Sequence, residues 1–570
     1  MKRNRSIWSE NHGESNFRDE YPEFSMFSLI KETADKYPNN IALEFQNKKT
    51  SFSDFISIIE LTAKSLTEIG IKKGDFVSIV APNTPQALIS VYAINRIGAI
   101  ANMIHPLLST NEIKKFVEHV NSKAIITFDM LYNKLSEIKW ETTHKPTIIL
   151  ARIADALPLY VKPLYLITNK VSVEINPEHN VIYLNNFLQK GRKFSKELPE
   201  DDGKGDDIAA ILYSGGTTGI PKGVMIHNRA FNCMAIQAEE IKRDDTVNAA
   251  GKKALAVMPV FHGFGLAMCM HVMLYFGMHV FLVPKFDFKA CSDLIFKKKI
   301  NHVYAVPALF EALSRTEEIE KRDLSFLEMV AFSGDKCSEK LLKRMNNYLK
   351  KGGSSEQMTE AYGLTECLSA ACISPFFAHK KGSTGLPLPD NEIKICKIGT
   401  HEEVPIGEDG EICITGPTQM KGYYKNEAET NIALQLHDDG KKWLHTGDIG
   451  CMDEEGYLYY RQRYCKMIIT SGYNVYPTQI EEVINECPGV ALSCVIGVPD
   501  RTLGQRIVAV VQPASMNADL EELRKKIYEK CEKNVADFAL PKEIVFREEF
   551  PKTAMGKVNF KALTEEFSNQ

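Results

Sequence analysis

Residues 211–225 read Ile-Leu-Tyr-Ser-Gly-Gly-Thr-Thr-Gly-Ile-Pro-Lys-Gly-Val-Met, a grouping of small residues, hydroxyls and one lysine suited to gripping phosphate. The apolar run from Ile208 to Tyr213 predicts a buried strand, which breaks into Ser214, Gly215, Gly216, Thr217, Thr218 and Gly219. Glycines admit positive φ and let backbone approach a ligand, while successive N–H groups and three hydroxyls supply donors for phosphate oxygens. Lys222 adds positive charge at the far end. The P-loop spacing is not met, because Pro221 stands where its second glycine belongs and Gly223 follows Lys222 in place of Ser or Thr.

Other stretches carry chemistry of their own. Residues 360–366, Glu-Ala-Tyr-Gly-Leu-Thr-Glu, put a carboxylate beside a hydroxyl at the predicted end of a strand. That suits Mg2+, which keeps several waters and takes one or two protein oxygens besides phosphate. Ser333-Gly334-Asp335-Lys336 falls between a predicted strand and a helix, where open α/β sheets bind ligands. His445-Thr446-Gly447-Asp448 presents a short acid after glycine, and Phe261-His262-Gly263-Phe264-Gly265 sets a histidine in an apolar, glycine-punctuated stretch.

The 211–225 loop resembles, almost residue for residue, the nucleotide loop of the adenylate-forming superfamily, which includes acyl-CoA synthetases, luciferases and the adenylation domains of peptide synthetases. The resemblance runs from about residue 25 to 565, with the motifs in family order. It implies an AMP-forming acyl-CoA synthetase: ATP, Mg2+ and a carboxylic acid give acyl-AMP and pyrophosphate, and CoA then displaces AMP. By the same resemblance Tyr362 contacts adenine, Thr365 phosphate, and Glu366 with Thr218 the metal, while Asp448 and Arg463 bind the ribose hydroxyls. Gly334 borders the adenine and acyl pockets, and His262, Gly363 and Gly472 border the substrate. Lys466 occupies the hinge position, and Lys557, in Pro551-Lys552-Thr553-Ala554-Met555-Gly556-Lys557, is the catalytic lysine that stabilises charge between carboxylate and α-phosphate. Two local departures stand out: Asp335-Lys336 replaces a commoner Ala-Pro, and Gln462-Arg463-Tyr464-Cys465-Lys466 replaces a Gly-Arg-x-Lys-Asp run. The alternatives are a stand-alone ligase that loads a carrier protein and a non-catalytic nucleotide-binding member of the fold.

A chain of 570 residues divides into at least two domains. The expected fold is α/β: a large N-terminal domain over 1–465, made of two α/β subdomains and a β-rich subdomain, and a small mobile α+β domain over 466–570. Strand and helix alternate from Phe76 onward: strand to Ala81, helix from Pro85, strand Ala99 to Ile104, a capping box at Ser109 and Glu112, strand Ala124 to Phe128. Alternation resumes after the glycine-rich loop, with strands near 254–260, 279–284, 302–306 and 328–333. Short strands such as Glu411 to Thr415 and Tyr457 to Arg461 mark the β-rich part, and strands 491–498, 506–512 and 543–549 with a helix over 518–533 mark the last domain.

A net charge of −4 leaves no electrostatic footprint for nucleic acid. Thirteen cysteines without metal or redox spacing, and a start without an apolar leader, point to free thiols and the cytoplasm. The thirty uncharged residues from Ala254 to Val283 are punctuated by Pro259, Gly263, Gly265 and Gly277, which predicts strand, loop, helix and strand in a buried core and no transmembrane segment. Ile153 to Val171 reads as a packed linker, with peripheral membrane contact as a second reading. The oligomeric state is left open. The Met- and Phe-rich stretch 258–281 points to a fatty or bulky cyclic acid.

Overall fold

The computed structural model describes residues 20–568 except 142–144, 159, 169–172, 215–221, 242–248, 317, 336, 376–378, 465–466, 471–472, 501–502, 516–517, 537–538 and 553–557. The chain forms two compact units, the larger comprising Met1–Cys337, Leu341–Ile393 and Ile414–Leu444, the smaller Ser338–Lys340, Lys394–Cys413 and His445–Gln570.

The larger unit holds two sheets. In the eight-stranded one, Ile208–Ser214, Ile100–Ile104, Phe76–Val80, Ala124–Phe128, Thr147–Ala151 and Val181–Tyr183 lie side by side and parallel. Lys222–His227 and Gly422–Tyr423 add antiparallel strands at its edge. Every residue of Ala124–Phe128 is buried, as a parallel strand covered on both faces must be. Helix Pro85–Arg96 starts as its sequence predicts, with Thr84 Oγ1 accepting from the Ala87 N–H and Pro85 in the first turn. Its residues from Gln86 to Asn95 are all buried, which a helix with apolar and small residues on every face permits. The capping box at Ser109 and Glu112 is present, each side chain bonding the other's backbone N–H.

The nine-stranded sheet runs Leu386–Pro387, Cys372–Ile373, Met358–Tyr362, Met329–Phe332, His302–Ala305, Lys253–Ala256, His279–Leu282, Ile41–Phe45 and Lys48–Ser51. Two strands cross between the regions that simple alternation suggests. Ile41–Phe45, early in the chain, pairs in parallel with His279–Leu282, and Ile208–Ser214 joins the first sheet. The uncharged stretch resolves into strand Lys253–Ala256, a π-helix Phe264–Val272 that continues as Met273–Tyr275, and strand His279–Leu282. No described helix is long and apolar enough to cross a membrane. The 153–171 segment forms helices Ile153–Ala156 and Lys162–Thr168, packed at Ala154, Ala156 and Leu157 but exposing Tyr160 and Ile167.

Between 392 and 463 the chain builds the predicted β-rich region, with Glu392–Cys396, Gly410–Thr415, Lys442–Met452 and Leu458–Arg463 as successive neighbours. The last region is a five-stranded sheet in which Val490–Asp500 and Gly504–Pro513 form a long antiparallel pair, and Glu543–Phe546 runs parallel to the second of them. Alternate residues of these strands feed two separate cores. Val495, Ile507 and Ala509 pack with Ile480, Ile484 and Ile527, whereas Ile496, Val508 and Val510 pack with Leu563 and Phe567.

Helix Asn228–Glu240 is capped by a histidine, and this makes the larger unit sensitive to acid. His227 Nδ1 accepts from the Ala230 N–H at 3.0 Å, and Nε2 faces the Gln419 carbonyl at 3.1 Å, so the neutral Nε2–H tautomer satisfies both. Burial, aided by nearby Arg229, lowers its pKa to about 4. Because the folded value lies below the unfolded one, this contribution is complete above the ordinary histidine pKa of about 6.5 and is lost as pH falls from there toward 4. Lowering the pH from 7 to 5 should remove about 2 kcal/mol of support from this helix start. Hydrogen exchange at the Ala230 amide, compared between the wild type and His227→Asn, measures it; an equal pH response in both would contradict the assignment.

Candidate active site

The glycine-rich loop joins two antiparallel strands whose register partners at its mouth are Ser214 and Lys222. Gly215, Gly216, Thr217, Thr218 and Gly219 lie outside the described residues, as do Lys466, Gly472 and Lys557. Ser214 Oγ donates to Glu366 Oε1 at 2.9 Å, and the Tyr423 hydroxyl donates to the same oxygen at 3.0 Å. Glu366 is buried in a 3-10 turn, Thr365–Cys367, that follows strand Met358–Tyr362, and its carbonyl accepts from the Met420 N–H at 2.8 Å. No hydrogen bond from a described residue falls on Glu366 Oε2.

Lys222 is held from the other side. Its ammonium pairs with Glu429 at 2.5 Å and lies 4.9 Å from the centroid of the Tyr423 ring. Tyr423 thus touches both the acid and the base of the site, its hydroxyl on Glu366 and its face toward Lys222. Sequence reasoning found Ser214, Lys222 and Glu366 but missed Tyr423 and Glu429. A tyrosine 57 residues beyond Glu366 has no local signal; only the pairing of Gly422–Tyr423 with Lys222–His227 brings it in.

Gly334 and Tyr362 sit at the same carboxyl ends of adjacent parallel strands, Met329–Phe332 and Met358–Tyr362. Gly334 has a φ of +80°, which a side chain would strain even though the nearest atom to an added Cβ is 3.7 Å away. At Gly363 space itself is the constraint: a Cβ would lie 1.7 Å from the Ser369 carbonyl oxygen. Removing that freedom would push the 362–366 segment, with Thr365 and Glu366, off its neighbour.

Beside these strand ends lies a small apolar pocket. Met234 lines it from helix Asn228–Glu240, Phe264 and Met268 from the π-helix, and Tyr304, Ala331 and Ala361 from the strands. The wider π-helical turn is seated by glycine, because a Cβ on Gly265 would meet the Pro259 carbonyl at 2.0 Å and one on Gly263 the Leu368 carbonyl at 1.7 Å. His262 precedes this helix, its ring 5.0 Å from that of Phe261; the residues of this segment that line the pocket are Phe264 and Met268.

In the smaller unit Asp448 and Arg463 are register partners on neighbouring strands, with Arg463 Nε 3.2 Å from Asp448 Oδ1. Asp448 is buried inside the long strand Lys442–Met452, not in a turn after a strand. Gly447, at φ +68°, supplies the local distortion. Gln462, next to Arg463, is also buried. On either side of the segment bearing Lys557, Lys552 and Val558 form an isolated antiparallel bridge.

The chain as a whole is similar to known proteins. The family model described as AMP-binding enzyme matches residues 30–424, and that of the AMP-binding enzyme C-terminal domain matches 479–557. A long-chain-fatty-acid–CoA ligase of Bacillus subtilis (strain 168) is 31% identical over 549 residues, which is 96% of this chain and 95% of the relative. A long-chain-fatty-acid–CoA ligase of Salmonella typhimurium is 29% identical, covering 95% and 94%. Among solved structures, the anthranilate CoA ligase AuaEII in complex with anthranoyl-AMP superposes with a TM-score of 0.82 at 20% identity, covering 97% of this chain and 98% of that one. ATP-bound MatB from Rhodopseudomonas palustris gives 0.78 at 23% identity, covering 96% and 99%. At those identities the structures speak for the fold alone.

Proposed function

The chain belongs to the family of AMP-binding enzymes, and from that premise we propose that its acid substrate is a long-chain fatty acid and that the residues named above carry the reaction. The protein is an AMP-forming acid–CoA ligase that uses ATP, Mg2+ and CoA. It joins the acid's carboxylate oxygen to the α-phosphorus with loss of pyrophosphate, and the CoA thiol then takes the acyl carbon and releases AMP.

The observation that carries the site assignment is the buried carboxylate of Glu366, oriented on one oxygen by Ser214 and Tyr423. A fixed hard oxygen of this kind fits Mg2+, and Glu366 with Thr218 would hold it. When bound, the ion neutralises phosphate charge. Lys222 is kept at the loop's end by Glu429 and Tyr423, positioned to exchange Glu429 for a phosphate oxygen. Asp448 accepts from the ribose hydroxyls with Arg463 as its counter-ion, and Tyr362 packs against adenine with Gly334 allowing close approach. Lys557 stabilises the charge that builds between the carboxylate and the α-phosphate, and Lys466 is the pivot between the two half-reactions. A first domain over 1–465 and a second over 466–570 remain the functional division we assign. Twelve described cysteines are all unbridged, which supports a reducing, cytoplasmic setting.

The fatty-acid assignment draws on the apolar pocket and on the names of the relatives. Pyrophosphate exchange across short, medium, long, aryl and steroidal acids tests it; a preference for aryl or short acids would overturn it. Ala331 faces this pocket, so Ala331→Phe should lower the preference for long over medium chains by roughly tenfold or more, the scale on which a few methylenes discriminate. An unchanged ratio in a folded variant would place the acyl chain elsewhere.

A further inference from the structure

Asn83 follows strand Phe76–Val80, just ahead of helix Pro85–Arg96. Asparagine is a good helix cap, yet Thr84 takes that place here, and the Asn83 side chain reaches across to the nine-stranded sheet. It is buried, and its whole amide is in use. Nδ2 donates to the Met258 carbonyl at 2.9 Å and to the Ala256 carbonyl at 3.2 Å, while Oδ1 accepts from the Val260 N–H at 2.7 Å. All three bonds fall on the stretch 256–260, which leaves strand Lys253–Ala256 at its carboxyl end. A second tie lies beside the first: the ring of His105, which follows the adjacent strand Ile100–Ile104, is 4.4 Å from that of Phe261.

The stretch that Asn83 holds is the seat of the π-helix. The His262 N–H donates to the Pro259 carbonyl at 3.0 Å, and the Leu266 N–H donates to the His262 carbonyl at 2.8 Å, so the start of the helix hangs on residues 259–262. Gly265 lies against the same backbone: a Cβ there would be 2.6 Å from the Met258 carbonyl oxygen, which is the acceptor of the shorter Nδ2 bond. Phe264 and Met268, which line the apolar pocket, flank that point of contact. Without Asn83, the Val260 N–H and the Met258 carbonyl each lose a partner in a largely buried place, and the stretch shifts to recover one.

We propose that Asn83 is a positioning residue for the acid substrate: by fixing 256–260 it sets where the π-helix stands, and with it the pocket wall formed by Phe264 and Met268. This rests on the reading that the pocket takes the acyl chain. Asn83 touches no reacting atom, so its effect belongs to the binding of the acid. Binding lost equally in the ground and transition states raises KM and leaves kcat unchanged. A matched control stands at the amino end of the same strand. Asn301 Oδ1 accepts from the Lys253 N–H at 2.9 Å, and its Nδ2 donates to the Phe326 carbonyl at 3.0 Å and to Glu328 Oε1 at 3.3 Å. Asn301 thus makes as many bonds as Asn83, away from the pocket end of the strand.

The test compares Asn83→Asp, Asn83→Ser and Asn301→Ala in the full chain, with KM and kcat measured for palmitate, decanoate and ATP, and thermal unfolding alongside. Aspartate keeps the acceptor for Val260 but turns an oxygen toward the two carbonyls; serine removes the reach and adds no charge, and carries the comparison if the aspartate variant does not fold. Both Asn83 variants are expected to raise KM for palmitate about tenfold and to change the palmitate-to-decanoate preference, with kcat and KM for ATP within about twofold of wild type. Asn301→Ala is expected to lower the unfolding temperature and leave every KM in place. An equal rise in KM for ATP and acid in the Asn83 variants, or the same acid-specific rise in Asn301→Ala, overturns the proposal and leaves Asn83 a support of the fold. Ala331→Phe separates this from the pocket reading. A normal acid KM in the Asn83 variants beside an altered chain-length preference in Ala331→Phe overturns the role of Asn83 alone; a raised acid KM beside an unaltered Ala331→Phe overturns the pocket and keeps Asn83 as a positioning residue for the acid.

Discussion

Lys557→Ala should lower acyl-adenylate formation by roughly 10²–10³-fold, the usual cost of removing one donor aimed at developing charge. The reason lies in the half-reaction. As the carboxylate oxygen closes on the α-phosphorus, two negative groups are forced together, and donors aimed at the phosphate tail would do nothing for the new bond. In the role proposed for Lys557 a single ammonium would meet that charge, and alanine would leave it unmet. Thiol attack on a preformed acyl-AMP makes no such demand. ATP–pyrophosphate exchange and CoA transfer from supplied acyl-AMP are therefore measured side by side. Loss of exchange with transfer largely retained is the expected result, and equal loss of both would contradict the role given to Lys557.

Glu366→Gln is the second large effect expected: in the metal-holding role proposed for Glu366, kcat/KM for ATP should fall by roughly 10²–10³-fold, since a ligand's charge contributes several kcal/mol. The substitution is informative because it preserves shape. Ser214 and Tyr423 would still donate to an amide oxygen where they now donate to Oε1, so the turn and its contact with Met420 should survive. Tyr423→Phe is the control: it removes one charge-assisted hydrogen bond and should cost about tenfold. If the glutamine variant shows an unaltered Mg2+ requirement and near-normal turnover, the metal is not bound at Glu366.

Features set by a few neighbouring residues were legible in the sequence, and those set by distant pairing were not. Thr84-Pro85, the Ser109–Glu112 box and strands such as Ala124–Phe128 were legible because capping chemistry and continuous burial act over a few residues. The π-helix was not: in Phe264–Val272 nearly every position is apolar, so a wider turn leaves no periodic trace. The motif ending in Asp448 was legible, but its setting inside a strand bent at Gly447 was not, since a glycine before an acid more commonly ends a strand. Tyr423 and Glu429 became visible only through pairing across the sheet edge and an ion pair 207 residues apart.

The parallel pairing of Ile41–Phe45 with His279–Leu282 bears on how the polypeptide is made. Leu43 faces Val280, so at about 5–20 residues per second the ribosome needs on the order of ten to fifty seconds to deliver the second strand after the first has emerged. Throughout that interval Ala42, Leu43 and Phe45, fully covered in the finished protein, have the Lys48–Ser51 strand on one side and lack their partner on the other. The nascent chain thus carries one open strand edge until His279–Leu282 is made, and a shortened gene starting after Ser51 would leave His279–Leu282 as a bare sheet border.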